Sequence, residues 1–259
     1  MIPNLVPIIS QHHLNLESKE PFIVIVKDSD QGINLAKDIL YEISDKKTAL
    51  FLSGGRTPKE LYHTLAKEEK LIIGAVGIVD ERFGPPALVY GKSHWRAGQK
   101  MHEDSNEKMI EQTGLLHYLQ KEQTLFYPIL QNNASIRDTA LQYDETLRFL
   151  FNGFQKSIGI LGIGLDGHTA GLPIGYQESK NHSLVTYCTD FPGEQKERIS
   201  MTFLGLSGLD MLLVLVFGKD KKEALQNMFI SGSESEIPAR FFKRSDIAKK
   251  TLIITDQKV

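Results

Sequence analysis

The sequence has a single cysteine, Cys188, among 259 residues. One cysteine cannot form a disulfide within the chain, so we expect a reducing compartment, the cytoplasm. Cys188 ends the apolar segment LVTYC. This setting favours a buried, unreactive thiol over a nucleophile.

Neither sign of charge is in large excess, because 30 basic and 32 acidic residues leave a net charge of −2. A nucleic-acid-binding surface, which needs a basic patch, is therefore not expected. The longest apolar run, MLLVLVF at 211–217, is far shorter than the roughly 20 residues that span a membrane. The N-terminal segment MIPNLVPIIS also lacks the basic start and long apolar stretch of a signal peptide. We expect neither a nucleic-acid nor a membrane partner.

Metal-binding patterns are missing as well. The sequence has no His-Glu-x-x-His motif and no cysteine cluster, so no structural metal is expected.

Apolar segments of strand length alternate with helical patterns along the chain. We predict strands at 22–26, 48–52, 75–81, 126–130, 157–164, 183–188, 211–217 and 251–255. Helices are predicted around 33–43 and at 58–69, 105–118, 135–151 and 219–229. Continuously apolar strands separated by helices predict an α/β fold, with a doubly wound, mostly parallel sheet and helices on both faces. No repeat or linker divides residues 1–259, so we predict one domain, with 84–104 as its main excursion.

Three unusual segments each follow a predicted strand: SGGRTP (53–58), DERFGP (80–85) and GLDGHTAG (164–171). Ligands of such sheets bind beyond the carboxyl ends of the strands. The three segments are therefore expected to meet at one edge of the sheet.

The segment SGGRTP predicts an anion site, most plausibly for phosphate. Gly54 and Gly55 permit a tight turn that presents backbone N–H groups. The helix beginning near Pro58 adds further free N–H groups and the positive end of its dipole. The polar side chains of this segment could add donors: Ser53, Arg56 and Thr57. The alternative is an ordinary strand-to-helix turn.

Two further segments carry candidate ligand-binding groups. Arg82 could make a bidentate contact to phosphate, and Asp80 could orient a sugar hydroxyl or take a proton. Lys221, near the start of a helix that follows a strand, could also bind phosphate. The alternatives are a solvated loop with an internal ion pair and a solvated helix face.

The segment GIGLDGHTAG at 162–171 has two interpretations. Its glycine spacing resembles a dinucleotide fingerprint, and a later strand reaches Asp190. That motif, however, needs a helix after Gly167. Here Gly171 and Pro173 would break it, at about 1 and about 3 kcal/mol.

The second interpretation of this segment is acid–base chemistry. His168 can accept and return a proton near neutral pH. Asp166 can fix its tautomer or orient a substrate hydroxyl, and Gly167 lets the backbone lie close to a substrate. The alternative is a histidine that merely caps a turn.

Taken together and in order, SGGRTP, DERFGP, the SN of HEDSNEKMI, GIGLDGHTAG, RIS-x-T and GKDKKEAL resemble the motifs of the 6-phosphogluconolactonases. Their superfamily includes the glucosamine-6-phosphate isomerases. The resemblance implies a Rossmann-like fold and no metal or organic cofactor. It also implies hydrolysis of 6-phosphoglucono-1,5-lactone, a sugar phosphate, to 6-phosphogluconate in the pentose phosphate pathway. The oligomeric state stays open, and a monomer is compatible with the sequence.

The resemblance also implies roles for individual residues. His168 looks like the general base that activates water, with Asp166 as its partner or as a substrate-orienting group. The residues that would hold the phosphate are Gly54, Gly55, Thr57, Arg82, Lys221 and Arg198.

The chain departs from the family pattern at three places, one of which is the loop after DER, where GPPALVYGKSHW replaces the usual V-P start. Arg56 replaces the usual serine of SGGSTP, and Gly171 replaces the serine of DGHTASLFPG, in a segment one residue shorter. The nearest alternative is an isomerase, which would carry a glutamate where this chain has Leu172, Pro173 and Ile174. A sugar-phosphate-binding protein without catalysis is a third possibility, although the retained Asp166 and His168 argue against it.

Overall fold

The fold comes from a computed structural model that describes residues 2–17, 20–83, 104–131, 135–179 and 182–258. Trp95 and nearly all of the predicted excursion at 84–104 lie outside the described residues.

The larger sheet has seven strands in the order β1-β10-β9-β6-β2-β3-β5, and every neighbouring pair is parallel. Its strands are β1 (Phe22–Ile25), β2 (Thr48–Leu52), β3 (Ala75–Ile78), β5 (Leu125–Tyr127), β6 (Lys156–Gly162), β9 (Met211–Val216) and β10 (Thr251–Thr255). All residues of β2, β9 and β10 are buried, as expected for strands covered on both faces. The predicted α/β fold with a mostly parallel sheet is confirmed.

The chain reverses its direction of travel across this sheet between β2 and β6. From the middle of the sheet, β2, β3 and β5 follow one another toward one edge. The chain then returns to β6, which lies beside β2, and β6, β9 and β10 follow one another toward the other edge. The crevice beyond the carboxyl ends of strands at such a reversal is where open α/β sheets bind ligands. The loops after β2 and β6 are therefore placed at the natural ligand site of the fold.

Helices flank the sheet. In the described residues they are α1 (Val6–Gln11), α2 (Ser29–Ile43), α3 (Arg56–Glu68), α4 (Asn106–Gln112), α5 (Leu115–Lys121), α6 (Ile136–Gly153), α7 (Phe203–Ser207), α8 (Lys222–Phe229) and α9 (Ser245–Ala248). Short 3₁₀ segments cover Ile2–Leu5, Lys219–Lys221 and Pro238–Lys243. Within the described residues, none of these helices is both long and apolar enough to cross a membrane.

A second, antiparallel sheet was not predicted. It contains β4 (Asp80–Arg82), β8 (Arg198–Met201) and β7 (Val185–Cys188), in that order. The prediction of one strand over 75–81 is therefore wrong. After Val79, whose N–H still bonds the Leu52 carbonyl at 2.9 Å, the chain leaves the parallel sheet and pairs with β8.

Other boundaries also differ from the prediction. The helix predicted at 105–118 is two helices, because Gly114 adopts a left-handed φ of 83° between them. The helix predicted at 219–229 starts with a 3₁₀ turn before α8. The chain at 183–188 does form a strand, but in the small sheet rather than the large one.

Candidate active site

The segments that follow β2, β3 and β6 meet at one edge of the sheet, as predicted. Gly54, after β2, lies so close to Asn106 that a Cβ atom added at Gly54 would be 1.9 Å from the Asn106 Oδ1. Asn106 in turn donates from Nδ2 to the Asp80 carbonyl at 2.7 Å. After β6, the Ile163 carbonyl accepts a 2.7 Å hydrogen bond from the Lys221 Nζ. This edge is the candidate active site.

His168 and Asp166 form a hydrogen-bonded pair in the loop after β6. The His168 Nδ1 lies 2.6 Å from the Asp166 Oδ1, and the His168 backbone N–H donates to the same oxygen at 3.1 Å. The hydrogen bond from His168 lowers the pKa of Asp166 to about 2. Both side chains are about one-third exposed. An ionised carboxylate thus holds Nδ1 and leaves Nε2 as the ring nitrogen that can face a substrate.

Glycines shape the loop that carries this pair. Gly167 has a φ of +91°, which other residues adopt only with strain. A Cβ atom at Gly164 would lie 2.1 Å from the His168 Nδ1. The backbone folds back on itself through a 2.8 Å hydrogen bond from the Gly164 N–H to the His168 carbonyl. The described residues between β6 and β7 contain no helix, so the crossover helix that a dinucleotide site needs is missing there.

Arg82 and Arg198 occupy facing positions of β4 and β8. Arg82 donates from Nη1 to the Asn106 Oδ1. The Arg198 Nε is buried and has no hydrogen-bond partner among the described residues. Within that part of the chain, neither arginine forms an ion pair. Two guanidinium groups without a carboxylate partner can accept an anion from solution.

Asp80 is close enough to these arginines and to His168 to interact with them electrostatically. Burial raises the pKa of its carboxyl, while electrostatic interactions with Arg82, Arg198 and His168 oppose that rise. Its Oδ2 accepts a 3.1 Å hydrogen bond from the Asn106 Nδ2. The structure thus brings Asp80 together with the predicted base and the predicted phosphate-binding arginines.

The SGGRTP loop presents a backbone cradle at the start of α3. Gly55 precedes the helix with a φ of +111°, and the helix begins at Arg56. Ser53 is buried, and its Oγ has no partner among the described residues. Thr57 is partly exposed in the first turn. These features fit the predicted anion site.

Two further predicted phosphate-binding side chains are Arg56, in the first turn of α3, and Lys221, in the 3₁₀ turn before α8. The Arg56 guanidinium is 90% exposed and lies 3.5 Å from the Asp220 carboxylate. Lys221 is half-buried, and desolvation lowers the pKa of its amine. The Asp166 carboxylate and Arg56 are close enough to act on that amine electrostatically.

Glu81 is a site residue that the sequence analysis missed. Its buried carboxylate accepts hydrogen bonds from the backbone N–H groups of Arg82, Asn106 and Glu107 at 2.7–2.8 Å, and from the Ser105 Oγ at 3.0 Å. Burial raises the pKa of Glu81, and these donors oppose the rise. The carboxylate fixes the start of α4, and with it Asn106, beside β4.

Cys188 lies next to Arg198 in the small sheet and is half-buried. Burial and the negative charge of Asp190 raise the pKa of its thiol. The thiolate is therefore disfavoured, in agreement with the predicted unreactive cysteine, although the predicted full burial is not found. In the described residues, no group of three or more His, Cys, Asp and Glu side chains is placed to hold a metal ion.

The fold and site define a class: an α/β protein with a histidine–aspartate pair and unpaired arginines at the switch point of a parallel sheet. A family model described as glucosamine-6-phosphate isomerases/6-phosphogluconolactonase matches residues 32–253. The chain belongs to this family, which confirms the resemblance seen in its motifs.

Curated relatives match over most of their length. The 6-phosphogluconolactonase of Rhizobium meliloti (strain 1021) is 28% identical over 233 residues, which cover 83% of this chain and 86% of the relative. The enzyme of the same name from Xylella fastidiosa (strain 9a5c) is 29% identical over 215 residues, covering 78% and 80%.

Solved structures share the fold. The 6-phosphogluconolactonase from Plasmodium vivax superposes with a TM-score of 0.73 at 17% identity, over 100% of this chain and 96% of that one. The Trypanosoma cruzi 6-phosphogluconolactonase gives a TM-score of 0.66 at 23% identity, over 90% and 93%. At these identities the structures support the fold alone.

Proposed function

We propose that this chain hydrolyses 6-phosphoglucono-1,5-lactone to 6-phosphogluconate, a step of the pentose phosphate pathway. The family model and the curated 6-phosphogluconolactonases support this assignment. The observation that carries it is the 2.6 Å contact between His168 and Asp166, at a site that also holds the unpaired Arg82 and Arg198. Hydrolysis of a phosphorylated lactone needs a base at one end of the substrate and an anion site at the other.

In the proposed mechanism, the His168 Nε2 takes a proton from a water molecule while the water oxygen attacks the lactone carbonyl carbon. Asp166 holds the Nδ1 proton and stabilises the imidazolium that forms. The tetrahedral intermediate then collapses, the bond from C1 to the ring oxygen breaks, and the imidazolium returns its proton to that oxygen. The products are a carboxylic acid, which ionises, and a hydroxyl at C5. The step needs no covalent bond between the substrate and the enzyme, and it needs no metal or organic cofactor.

Phosphate recognition supplies orientation far from the reacting carbon. We assign binding of the substrate phosphate to two sets of groups. These are the guanidinium groups of Arg82 and Arg198 and the backbone N–H groups of Gly54, Gly55 and Thr57. Lys221 and the hydroxyl of Ser53 extend this cradle, while Asp80 and Gly167 face the sugar between phosphate and base. Arg56, whose side chain is largely exposed, acts at the rim. The single domain over residues 1–259 and a cytoplasmic location remain proposals from the sequence pattern.

The test is an assay of freshly prepared lactone, coupled to 6-phosphogluconate dehydrogenase and corrected for spontaneous opening. We expect enzyme-dependent turnover, and the variant His168→Ala should lower kcat by about 10²–10⁴-fold. His12→Ala is the matched control, because His12 also contacts a carboxylate, Asp38, at 2.9 Å but lies beside α2. A change in KM alone for His168→Ala would assign that residue to binding and overturn the mechanism.

The isomerase alternative lacks its acid at this site. The first carboxylate after His168 is Glu178, which is exposed and accepts a 2.7 Å hydrogen bond from the Leu204 N–H at the start of α7. Its side chain is therefore engaged outside the pair of His168 and Asp166. Release of ammonia from glucosamine 6-phosphate, without lactone hydrolysis, would favour the isomerase. Binding of sugar phosphates without any turnover would favour a non-catalytic binding protein.

A further inference from the structure

Phe191 is buried in a place where its neighbours are not. It lies in the connection between β7 and β8, and it is 7% exposed, whereas most of residues 189–197 are exposed. Its ring does not belong to the cluster of apolar side chains that forms the hydrophobic core of the described residues. Something other than the core therefore covers this ring.

Two residues of the candidate active site contact it. The Arg198 guanidinium carbon lies 4.7 Å from the centroid of the Phe191 ring. The His168 ring is 5.6 Å away between centroids and stands at 86° to the Phe191 ring. One aromatic side chain thus touches both the predicted general base, in the loop after β6, and a predicted phosphate-binding cation, at the start of β8.

Arg198 has few other constraints on its guanidinium. Among the described residues it makes no ion pair, its Nε has no hydrogen-bond partner, and like-charged Arg82 lies opposite. An aromatic face attracts a guanidinium through the ring quadrupole and stacks against its plane. Phe191 is therefore the side chain that is best placed to fix Arg198.

We propose that Phe191 is a positioning residue that holds Arg198 and His168 in the arrangement that binds and hydrolyses the phosphorylated lactone. This inference rests on the proposed function. Phe191 does not touch the reacting atoms itself. It acts through the cation–aromatic contact on one side and the edge-on imidazole contact on the other.

The test compares Phe191→Leu with Phe191→Tyr and Phe191→Trp. Leucine keeps an apolar side chain but removes the ring, whereas tyrosine and tryptophan keep a ring face for Arg198. We expect Phe191→Leu to raise KM for the phosphorylated lactone about threefold to tenfold, with a much smaller effect on KM for unphosphorylated gluconolactone. Loss of the His168 contact should lower kcat for both lactones alike. The two aromatic variants should stay within about twofold of the unaltered chain.

Two controls separate this role from general packing. Phe151→Leu removes an aromatic ring that packs on Phe51, 5.6 Å away, in the core, and should not change the preference for the phosphorylated substrate. In a double-mutant cycle, Phe191→Leu should have no further effect on KM once Arg198 is changed to alanine. Thermal unfolding of every variant checks that it is folded.

Binding of the product, 6-phosphogluconate, by calorimetry gives a readout that does not depend on turnover. A dissociation constant that rises only for Phe191→Leu supports the role of Phe191. If the unaltered chain binds 6-phosphogluconate but hydrolyses no lactone, the proposed reaction alone is overturned. Normal turnover with equal behaviour of the Leu, Tyr and Trp variants overturns the inference alone. Failure of the unaltered chain to bind 6-phosphogluconate overturns both.

Discussion

Arg82 and Arg198 lie directly opposite each other on the antiparallel pair β4–β8. Like charges at facing positions destabilise a strand pair by up to about 1 kcal/mol. Burial and the charge of Arg82 lower the pKa of the Arg198 guanidinium, and the carboxyl groups of Asp80 and Glu81 oppose this shift. An anion bound between the two groups would relieve this repulsion, so part of the proposed phosphate affinity would come from an interaction that is unfavourable in the free protein.

Arg198→Ala should therefore weaken substrate binding and not the chemistry. We expect KM for the phosphorylated lactone to rise about 10–100-fold, which corresponds to the free energy that a hydrogen bond to a charged group contributes. The change in kcat should be far smaller. Unphosphorylated gluconolactone should be hydrolysed equally well by both proteins. Arg137→Ala, an exposed position in α6, serves as the control. Equal losses on the two lactones would place Arg198 away from the phosphate.

Asp166→Asn should lower kcat by about 10²-fold, at the lower end of the range that acid–base groups contribute. The amide has no charge with which to stabilise the imidazolium, and its N–H₂ group competes for the His168 Nδ1. Steady-state kinetics on the phosphorylated lactone measure this effect, with KM expected to stay within a few-fold. Unchanged kcat would remove Asp166 from the mechanism.

The unaltered pair also predicts a pH dependence. Because the pKa of Asp166 is lowered to about 2, its carboxylate should stay ionised through the assay range. Stability from this contact is present above the ordinary pKa of about 3.9 and is lost only as the pH falls through about 2. Partial exposure keeps the contribution small. A loss of activity near pH 4 that disappears in Asp166→Asn would contradict this assignment.

The parallel sheet was predictable because its strands are continuously apolar, and the edge where the loops meet follows from parallel topology. The small sheet was not predictable from the same signal. Its strand β8 begins with Arg198 and has only four residues, so no apolar run marks it. The chain leaves the parallel sheet after Val79, where the apolar run gives way to Asp80, Glu81 and Arg82, and three charged residues did not indicate a second strand.

The candidate site likewise contains residues that the sequence indicated and residues that it did not. The glycine-rich motifs and the single Asp-x-His pair were visible because their residue types are unusual after a strand. Glu81 was not recognised, since its role depends on α4, which starts 25 residues later in the chain at Asn106. Phe191 was missed because a phenylalanine normally belongs to the core, and only the three-dimensional contacts show that it packs on His168 and Arg198.

Glu81→Gln should destabilise the protein by about 1–3 kcal/mol, since a buried amide cannot accept all the hydrogen bonds that the carboxylate accepts. Urea denaturation measures the free energy of unfolding. Glu111→Gln changes an exposed residue of α4 and should leave that free energy within about 0.5 kcal/mol. Equal stability of the two variants would show that Glu81 does not secure the start of α4.

Gly171→Ser would place the serine of the family pattern at this position. A Cβ atom at Gly171 would lie 3.0 Å from the Ser200 Cβ and 3.2 Å from the Asp80 Cβ. Both contacts are tight, and the Gly171 N–H already donates to the Ser200 Oγ at 3.0 Å. Overpacking of this kind typically costs about 1–3 kcal/mol. We expect lower stability and, because Asp80 is displaced, lower kcat/KM for the lactone.

The control and the compensating change come from the same structure. Gly153→Ser adds a side chain at the end of α6, where nothing lies within 4 Å of the new Cβ, and should leave kcat/KM unchanged. Combining Gly171→Ser with Ser200→Gly removes the atom in the tightest contact, so part of the lost activity should return. If Gly171→Ser is as stable and as active as the unaltered chain, the loop can move by the few tenths of an ångström required. The conformation of the shortened loop would then not require a glycine at position 171. The departure from the family pattern at this position would have no steric cause.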